Sequence, residues 1–352
     1  MRWFDPLLYP FSLLYDTATR LRNRMFDVGM KKGVEFSIPT IVVGNLSMGG
    51  TGKTPFVELL IRLFSEKHQI CTLSRGYGRK TKGFILANEN ASAAEIGDEP
   101  YQIYSKFGHK INVAVGEERI LAIPEIIIQK PETEAIFLDD AFQHRYVKGD
   151  LNILLTTFQK PFFKDKIVPL GTLREAKEGA GRADIIVVTK CPTGLEDDVK
   201  AKFSIEIRKF NSEAKIIFAG IKYGKPVAAG TASNGDSKNV VLVSGIADDS
   251  LFKAEAKKNY TVIKDFAFSD HHHYKVSDIK KIVESVKENP DSLILTTEKD
   301  AVKLKAPIFR DYLEEIATFA LPIEISLSEE DLLWLEKRVS VAIKDKGYIR
   351  EI

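Results

Sequence analysis

Cysteine is nearly absent from the 352 residues: Cys71 and Cys191 are the only two, each inside an apolar, strand-like run. Two such residues make neither a disulfide framework nor a metal-ligand spacing, which points to a reducing compartment. Long hydrophobic runs are missing as well. No apolar stretch approaches the roughly 18 residues that a membrane-spanning helix needs. Asp5 and Pro6 interrupt the N-terminus early, and no small-residue cleavage site follows as a secretory signal would require. The chain is therefore expected neither to cross a membrane nor to be exported, although it can still lie on one. Charge of one sign is scarce too. With 51 Lys and Arg against 49 Asp and Glu the net charge is +2, too small to argue for nucleic acid as a partner. What remains is an ordinary globular composition, 44% hydrophobic and 28% charged. It is long enough for two domains of about 100–200 residues each.

Residues 1–36 differ from the rest. Leu7, Leu8, Phe11, Leu14, Tyr15, Ala18, Leu21 and Met25 recur at helical spacing, led by Trp3 and Phe4 and flanked by Arg20, Arg22, Arg24, Lys31 and Lys32. An apolar stripe beside basic residues is how a helix lies in a membrane interface. The same period fits a terminal helix packed on the protein's own core, and the sequence does not choose between them. From residue 38 an alternation begins. Apolar strand candidates at 38–43, 69–73, 111–115, 135–138, 151–155 and 184–188 are separated in places by helical patterns such as 55–64 and 100–107. Short buried strands alternating with helices predict βαβ units and a mostly parallel sheet, an α/β fold. A further run at 215–219 leads into a polar stretch, 220–239, with Gly230, Asn234, Gly235 and Asp236, which reads as a linker or a strand pair. Strands at 240–243, 260–263 and 293–295, with a helix at 278–288, predict a second, smaller α/β unit. The expected domains are an N-terminal amphipathic helix (1–36), a nucleotide-binding core (37–222) and a smaller C-terminal domain with its linker (223–352).

The first strand runs into Gly44, Asn45, Leu46, Ser47, Met48, Gly49, Gly50, Thr51, Gly52, Lys53 and Thr54, and then into a helix. Glycines let backbone N–H groups turn inward around phosphate oxygens; Lys53 adds a point charge and Thr54 offers a hydroxyl to Mg²⁺. Ser47 stands where the common G-x-x-x-x-G-K-[ST] loop has its first Gly. The predicted nucleotide-binding set is Ser47, Met48, Gly49, Gly50, Thr51, Gly52, Lys53 and Thr54. Such a loop needs an acidic metal partner at the end of a nearby strand, and Asp139 and Asp140 close the 135–138 run.

Other clusters are less decisive. Ser74-Arg75-Gly76-Tyr77-Gly78-Arg79 joins two arginines, suited to bidentate phosphate contacts, to flexible glycines, yet it also suits a surface turn. Asp98 and Glu99 before Pro100 complement a helix N-terminus, or supply a carboxylate that takes the proton of an attacking hydroxyl. Asp270-His271-His272-His273 is either a solvated loop or the source of a His that assists a carboxylate across a cleft. The Arg174–Glu175 pair and the charged run Glu298-Lys299-Asp300 are equally open.

Together these segments resemble the tetraacyldisaccharide 4′-kinase family. The match rests on Val43-Gly44-Asn45 leading into Gly49–Pro55, on Ser74–Gly78, Gly97–Pro100, Asp139-Asp140 with Phe142-Gln143-His144, Leu173-Arg174-Glu175, Arg182-Ala183-Asp184, Asp270-His271-His272 and Thr297–Asp300. The resemblance implies a P-loop kinase that moves the γ-phosphate of ATP, with Mg²⁺, to the 4′-hydroxyl of a tetraacyldisaccharide 1-phosphate in lipid A synthesis. It implies a peripheral enzyme at the cytoplasmic face of the inner membrane, with no obligate protein partner evident. It further implies Asp98 as general base with His271 as its partner, Lys53 and Thr54 on phosphate and Mg²⁺, and Thr54, Asp139, Asp140 and Glu175 around the metal. Asn45, Tyr77, Arg79 and Arg174 become candidates near phosphates or substrate. Ala141 departs from the Gly that usually follows the acidic pair, which touches only local backbone freedom. A rival reading is a P-loop GTPase, suggested by Val187-Val188-Thr189-Lys190; the Asp it should carry two residues on is replaced by Pro192.

Overall fold

The computed structural model describes residues 5–230 and 237–346. Trp3, Phe4, Asn234, Gly235 and Asp236 lie outside them. Strands β1 (Thr40–Asn45), β2 (Ile70–Ser74), β3 (Ile85–Leu86), β4 (Asn112–Val115), β5 (Ala135–Asp139), β6 (Leu151–Thr157), β7 (Ile185–Cys191) and β8 (Lys215–Tyr223) come first. Next come β9 (Val227–Ala228), β10 (Asn239–Ser244), β11 (Thr261–Ala267), β12 (Ser292–Thr297), β13 (Thr318–Leu321) and β14 (Ile323–Ser326). The larger sheet runs β14-β8-β7-β6-β1-β5-β2-β4-β3 and the smaller β11-β10-β12-β13-β9. Among the described residues, antiparallel pairing is confined to β3 with β4 and β14 with β8 in the first sheet, and β9 with β13 in the second.

A parallel sheet must be covered on both faces, so its strands read as continuous apolar runs. Every position of β1, β2 and β5 is buried. On one face the helix Lys53–Phe64 packs Phe56, Leu60, Ile61 and Phe64 against Ile41, Val43 and Phe137; on the other, Ile123 and Ile126 meet Leu73, Ile136 and Leu138. The predicted α/β class and mostly parallel sheet are present.

The domain boundary differs from the expectation of a C-terminal unit spanning 223–352. After the second sheet, β14 returns to pair antiparallel with β8, register Ile323↔Tyr223 to Ser326↔Gly220. The helix Glu329–Asp345 then buries Leu335, Val339, Ala342 and Ile343 in the first domain's core. The smaller unit is thus an insertion joined through the β8–β14 pair. The stretch 220–239 holds the end of β8 and the short β9, but they do not pair with each other: β8 pairs with β14 and β9 with β13.

The N-terminal helix Asp5–Asp27 is built inside out. Leu7, Phe11, Leu14 and Leu21 stand 69%, 65%, 71% and 61% exposed, while Ser12 is buried. Its polar side does the docking: Ser12 Oγ donates to the Ile167 carbonyl at 3.1 Å, Tyr15 Oη to that of Arg174 at 3.0 Å, and Arg22 to that of Gln143 at 2.9 Å. Of the stripe, only Leu8 and Met25 are half-buried. The apolar stripe does not pack on the core; it faces outward.

Candidate active site

The carboxyl ends of the parallel strands open into a cleft of about 640 Å³ between the domains, bounded by the N-terminal helix at one end. Ligands bind at such strand ends in open α/β sheets. The loop from Met48 to Thr54 forms its floor. Gly49 and Gly52 adopt φ of 105° and 81°, a region that favours glycine, and Gly52 turns the chain directly into the helix Lys53–Phe64. Its unpaired N–H groups and dipole therefore aim into the cleft. Ser47 is buried at the loop's base, bridged to Leu173, and does not line the cavity.

Opposite Lys53 stands the acidic pair. Lys53 Nζ lies 3.6 Å from Asp140 Oδ1, and Arg174 grips both Asp140 oxygens at 2.7 and 3.1 Å. Asp140 takes φ 49°, a left-handed conformation that Asp tolerates. Burial pushes its carboxyl up, but Lys53 and Arg174 prevail and hold it at about 2. Asp139 goes the other way: burial, then the Glu99 charge, push its carboxyl up against the pull of Lys53. Its Oδ1 is sealed from solvent without a hydrogen-bond partner, so a cation there would relieve a desolvated acceptor. Among the described residues no group of three or more His, Cys, Asp or Glu could hold a metal alone. Mg²⁺ commonly takes one or two carboxylates, with phosphate and water completing the octahedron. Thr54, Asp139 and Asp140 fit that role.

Glu175 was expected among the metal acids. Instead its two oxygens accept from Arg182 at 2.8 and 2.9 Å, Gln143 at 2.9 Å and Asn23 of the N-terminal helix at 2.7 Å. Four hydrogen bonds from three side chains make it an anchor that ties helix to site, not an open ligand. Asn45 is likewise not a substrate contact. It is fully buried, donates to Thr51 Oγ1 at 2.7 Å and accepts from Arg174, so it braces the loop against the Arg174–Asp140 pair. Arg79 also turns away: its side chain, 2% exposed, pairs with Glu117 at 2.6 Å beneath the Gly76 turn. Arg75, from the same segment, lines the cleft in its place.

Asp98 and Tyr77 are brought to the cleft by one backbone device. Gly97 has φ 97°, and a Cβ there would meet the Tyr77 carbonyl at 2.9 Å. Only glycine lets the Tyr77 turn sit on the first turn of the helix Asp98–Phe107. From the second domain His271 lays its ring edge-to-face on Tyr77, centroids 5.1 Å apart. Asp98 and His271 line the same cleft but each has another partner. Asp98 Oδ2 is 3.5 Å from Lys303 Nζ, and His271 Nε2 is 3.1 Å from Lys299 Nζ. An ammonium can only donate, so His271 Nε2 accepts and the ring is neutral; burial and Lys299 push its pKa down.

Sequence reasoning missed Lys303, the buried Arg119 whose guanidinium donates to the Asp139 carbonyl at 3.4 Å, and the part played by Arg22 and Asn23 in lining the cleft; of the two arginines marked in the 74–79 segment it carried Arg79, not Arg75, into the site. Arg75 and Lys299 lay within flagged motifs. Lys303 carried a faint signal: it stands one helical turn after Lys299.

Known proteins give the arrangement its place. The family model described as Tetraacyldisaccharide-1-P 4'-kinase (LpxK) matches residues 4–340. Tetraacyldisaccharide 4'-kinase of Flavobacterium johnsoniae is 41% identical over 309 residues, covering 87% of this chain and 89% of its own. That of Bacteroides thetaiotaomicron is 37% identical, covering 98% and 93%. Among solved structures, LpxK from Aquifex aeolicus, described as an "apo" form in complex with ATP, superposes with TM-score 0.73 at 28% identity, covering 97% of this chain and 99% of that one. With a nucleotide cradle, an acid pair and an outward-facing apolar helix on one cleft, this chain belongs to the tetraacyldisaccharide 4'-kinase family, the ATP-dependent 4'-phosphorylation step of lipid A biosynthesis.

Proposed function

We propose that the cleft moves the γ-phosphate of ATP to the 4′-hydroxyl of tetraacyldisaccharide 1-phosphate, with these residues in these roles. The loop 48–54 and Lys53 hold the phosphates, and Thr54, Asp139 and Asp140 hold Mg²⁺, which when bound neutralises charge on the phosphates. Arg174 fixes the orientation of Asp140. Asp98 takes the proton of the 4′-hydroxyl as its oxygen bonds to the γ-phosphorus, while the bond from that phosphorus to the bridging oxygen breaks and ADP leaves. Neutral His271, with Tyr77 against it, lines the acceptor side and excludes water there. The observation that carries the reading is the convergence of Lys53, the Asp139–Asp140 pair and Asp98, from three different elements, on one cleft.

The acceptor enters from the side of the N-terminal helix. Among the described residues no helix is long and apolar enough to cross a membrane. Outward Leu7, Phe11, Leu14 and Leu21, with Arg24 and Lys32 exposed beside them, support a helix lying in the interface at the cytoplasmic face, where ATP is available. The test is ATP- and Mg²⁺-dependent phosphorylation of the disaccharide 1-phosphate in mixed micelles. Absence of product with folded, nucleotide-binding protein sinks the reading, and turnover with GTP alone would favour a GTPase.

A further inference from the structure

The helix Glu298–Leu304 of the second domain lies along the helix Asp98–Phe107 of the first. Residues 299 and 303 are one turn apart and share a face. Both are lysines, and both reach across the domain boundary: Lys299 Nζ stands 3.2 Å from Glu99 Oε1 and Lys303 Nζ 3.5 Å from Asp98 Oδ2. About two turns further along the first helix, Lys106 reaches back to Glu298 at 2.6 Å. Lys299 lies in the cleft and touches His271. Lys303 does not line the cleft. Its side chain is 8% exposed, and its Nζ is sealed from solvent with no hydrogen-bond partner, between Asp98 and Asp300.

A buried ammonium is costly unless opposed by carboxylates, and Asp300, at 3.6 Å, opposes it only in part. Asp300 is wholly buried and already receives Gly245 N–H at 2.8 Å and Thr297 Oγ1–H at 2.7 Å on its other oxygen. The second carboxylate comes from the other domain. The Lys303 charge lies on the Oδ2 side of Asp98, so Oδ1 is the oxygen left to accept a proton from the cleft.

We propose that Lys303 is a positioning residue for Asp98: from the second domain it holds the carboxylate turned toward the acceptor, so the base is complete only while the two helices are docked. This rests on the reading of Asp98 as the base. Steady-state kinetics on the full chain test it with Lys303→Met, Asp98→Asn and the double variant, alongside ATP binding and melting temperature. Asp98→Asn should lower kcat on the order of 10²–10⁴-fold. Lys303→Met should lower kcat about tenfold or more with the KM for ATP within about twofold, and Lys303→Arg should recover most of that loss. The double variant should be no slower than Asp98→Asn alone, because the group through which Lys303 acts is gone. Wild-type kcat in Lys303→Met, or an equal further drop in the Asp98→Asn background, overturns the proposal and leaves Lys303 as a counter-ion for Asp300. An unchanged kcat in Asp98→Asn overturns the base assignment and this inference together. Where Lys303→Met does not fold, Lys303→Arg carries the test: its residual loss must vanish in the Asp98→Asn background, and persistence overturns the idea.

Discussion

Polar replacement of the outward face of the N-terminal helix should release the enzyme from membranes without unfolding it. Leu7, Phe11, Leu14 and Leu21 show 61–71% of their surface to solvent, so little of each contributes to the fold. Full burial of a Leu or Phe side chain is worth about 1.5–3 kcal/mol. Two thirds of that is about 1–2 kcal/mol per residue if the helix settles among acyl chains. At 1.4 kcal/mol per decade, Leu14→Gln alone should weaken partitioning onto anionic vesicles about 5- to 30-fold, and the fourfold Gln variant at least ~100-fold. The docking bonds from Ser12, Tyr15, Arg22 and Asn23 remain, so the melting temperature should stay within about 2 °C. Vesicle co-sedimentation and thermal melting on the same samples decide the matter. Unchanged partitioning of the fourfold variant, or a large loss of stability with it, would refute the reasoning, since either result means the face is not free.

Further outcomes follow from the site. Lys53→Ala should damage ATP binding and kcat together, whereas Asp98→Asn should lower kcat alone; equal loss of ATP affinity in both would remove Asp98 from the chemistry. Arg79→Ala should cost about 1–3 kcal/mol of stability through its lost Glu117 pair while the acceptor KM of the folded enzyme stays within about threefold, and a large KM change would restore Arg79 as a substrate contact. Glu175→Gln should cost about 3 kcal/mol and speed proteolysis between the N-terminal helix and residue 38; unchanged proteolysis and melting would show that its three donors matter little. Burial, aided by Arg119 and Arg75, pushes His144 down to about 4, against about 6.5 in the unfolded chain. The unfolded state therefore binds the proton first. This contribution is complete above about pH 6.5 and is lost as pH falls toward 4, by about 1–2 kcal/mol at pH 5 after allowing for partial exposure. His144→Gln should flatten that part of the stability–pH curve, and identical curves would contradict it.

The nucleotide loop was legible because its signal is local: a buried strand, glycines at fixed offsets and a helix start. Direction was not. Arg75 and Arg79 have the same chemistry four residues apart, and only the Gly76 turn, where Arg79 folds under the chain, decides which reaches the cleft. Asn45 was expected at the substrate and Glu175 at the metal, and neither expectation could see the partners that hold them, Arg174, Arg182 and Asn23, which lie far off in sequence. The stripe of the N-terminal helix has a period but no sign, so inside and outside read alike. β14 was invisible for a related reason: Ile323–Ser326 reads as a continuation of β13 past Pro322, and nothing local says that it joins the other sheet.

That return has a consequence for how the protein is made. Ribosomes deliver the chain from its N-terminus, and domains generally fold as they emerge. Here the strands around the nucleotide loop emerge early, yet the edge strand β14 and the helix that seals Leu335, Val339 and Ile343 over Ile41 and Val43 come only after the whole inserted unit. The kinase domain is thus begun first and finished last. Throughout that interval the nascent chain shows an unsealed sheet face together with an apolar N-terminal helix, so synthesis close to a lipid surface would shelter both.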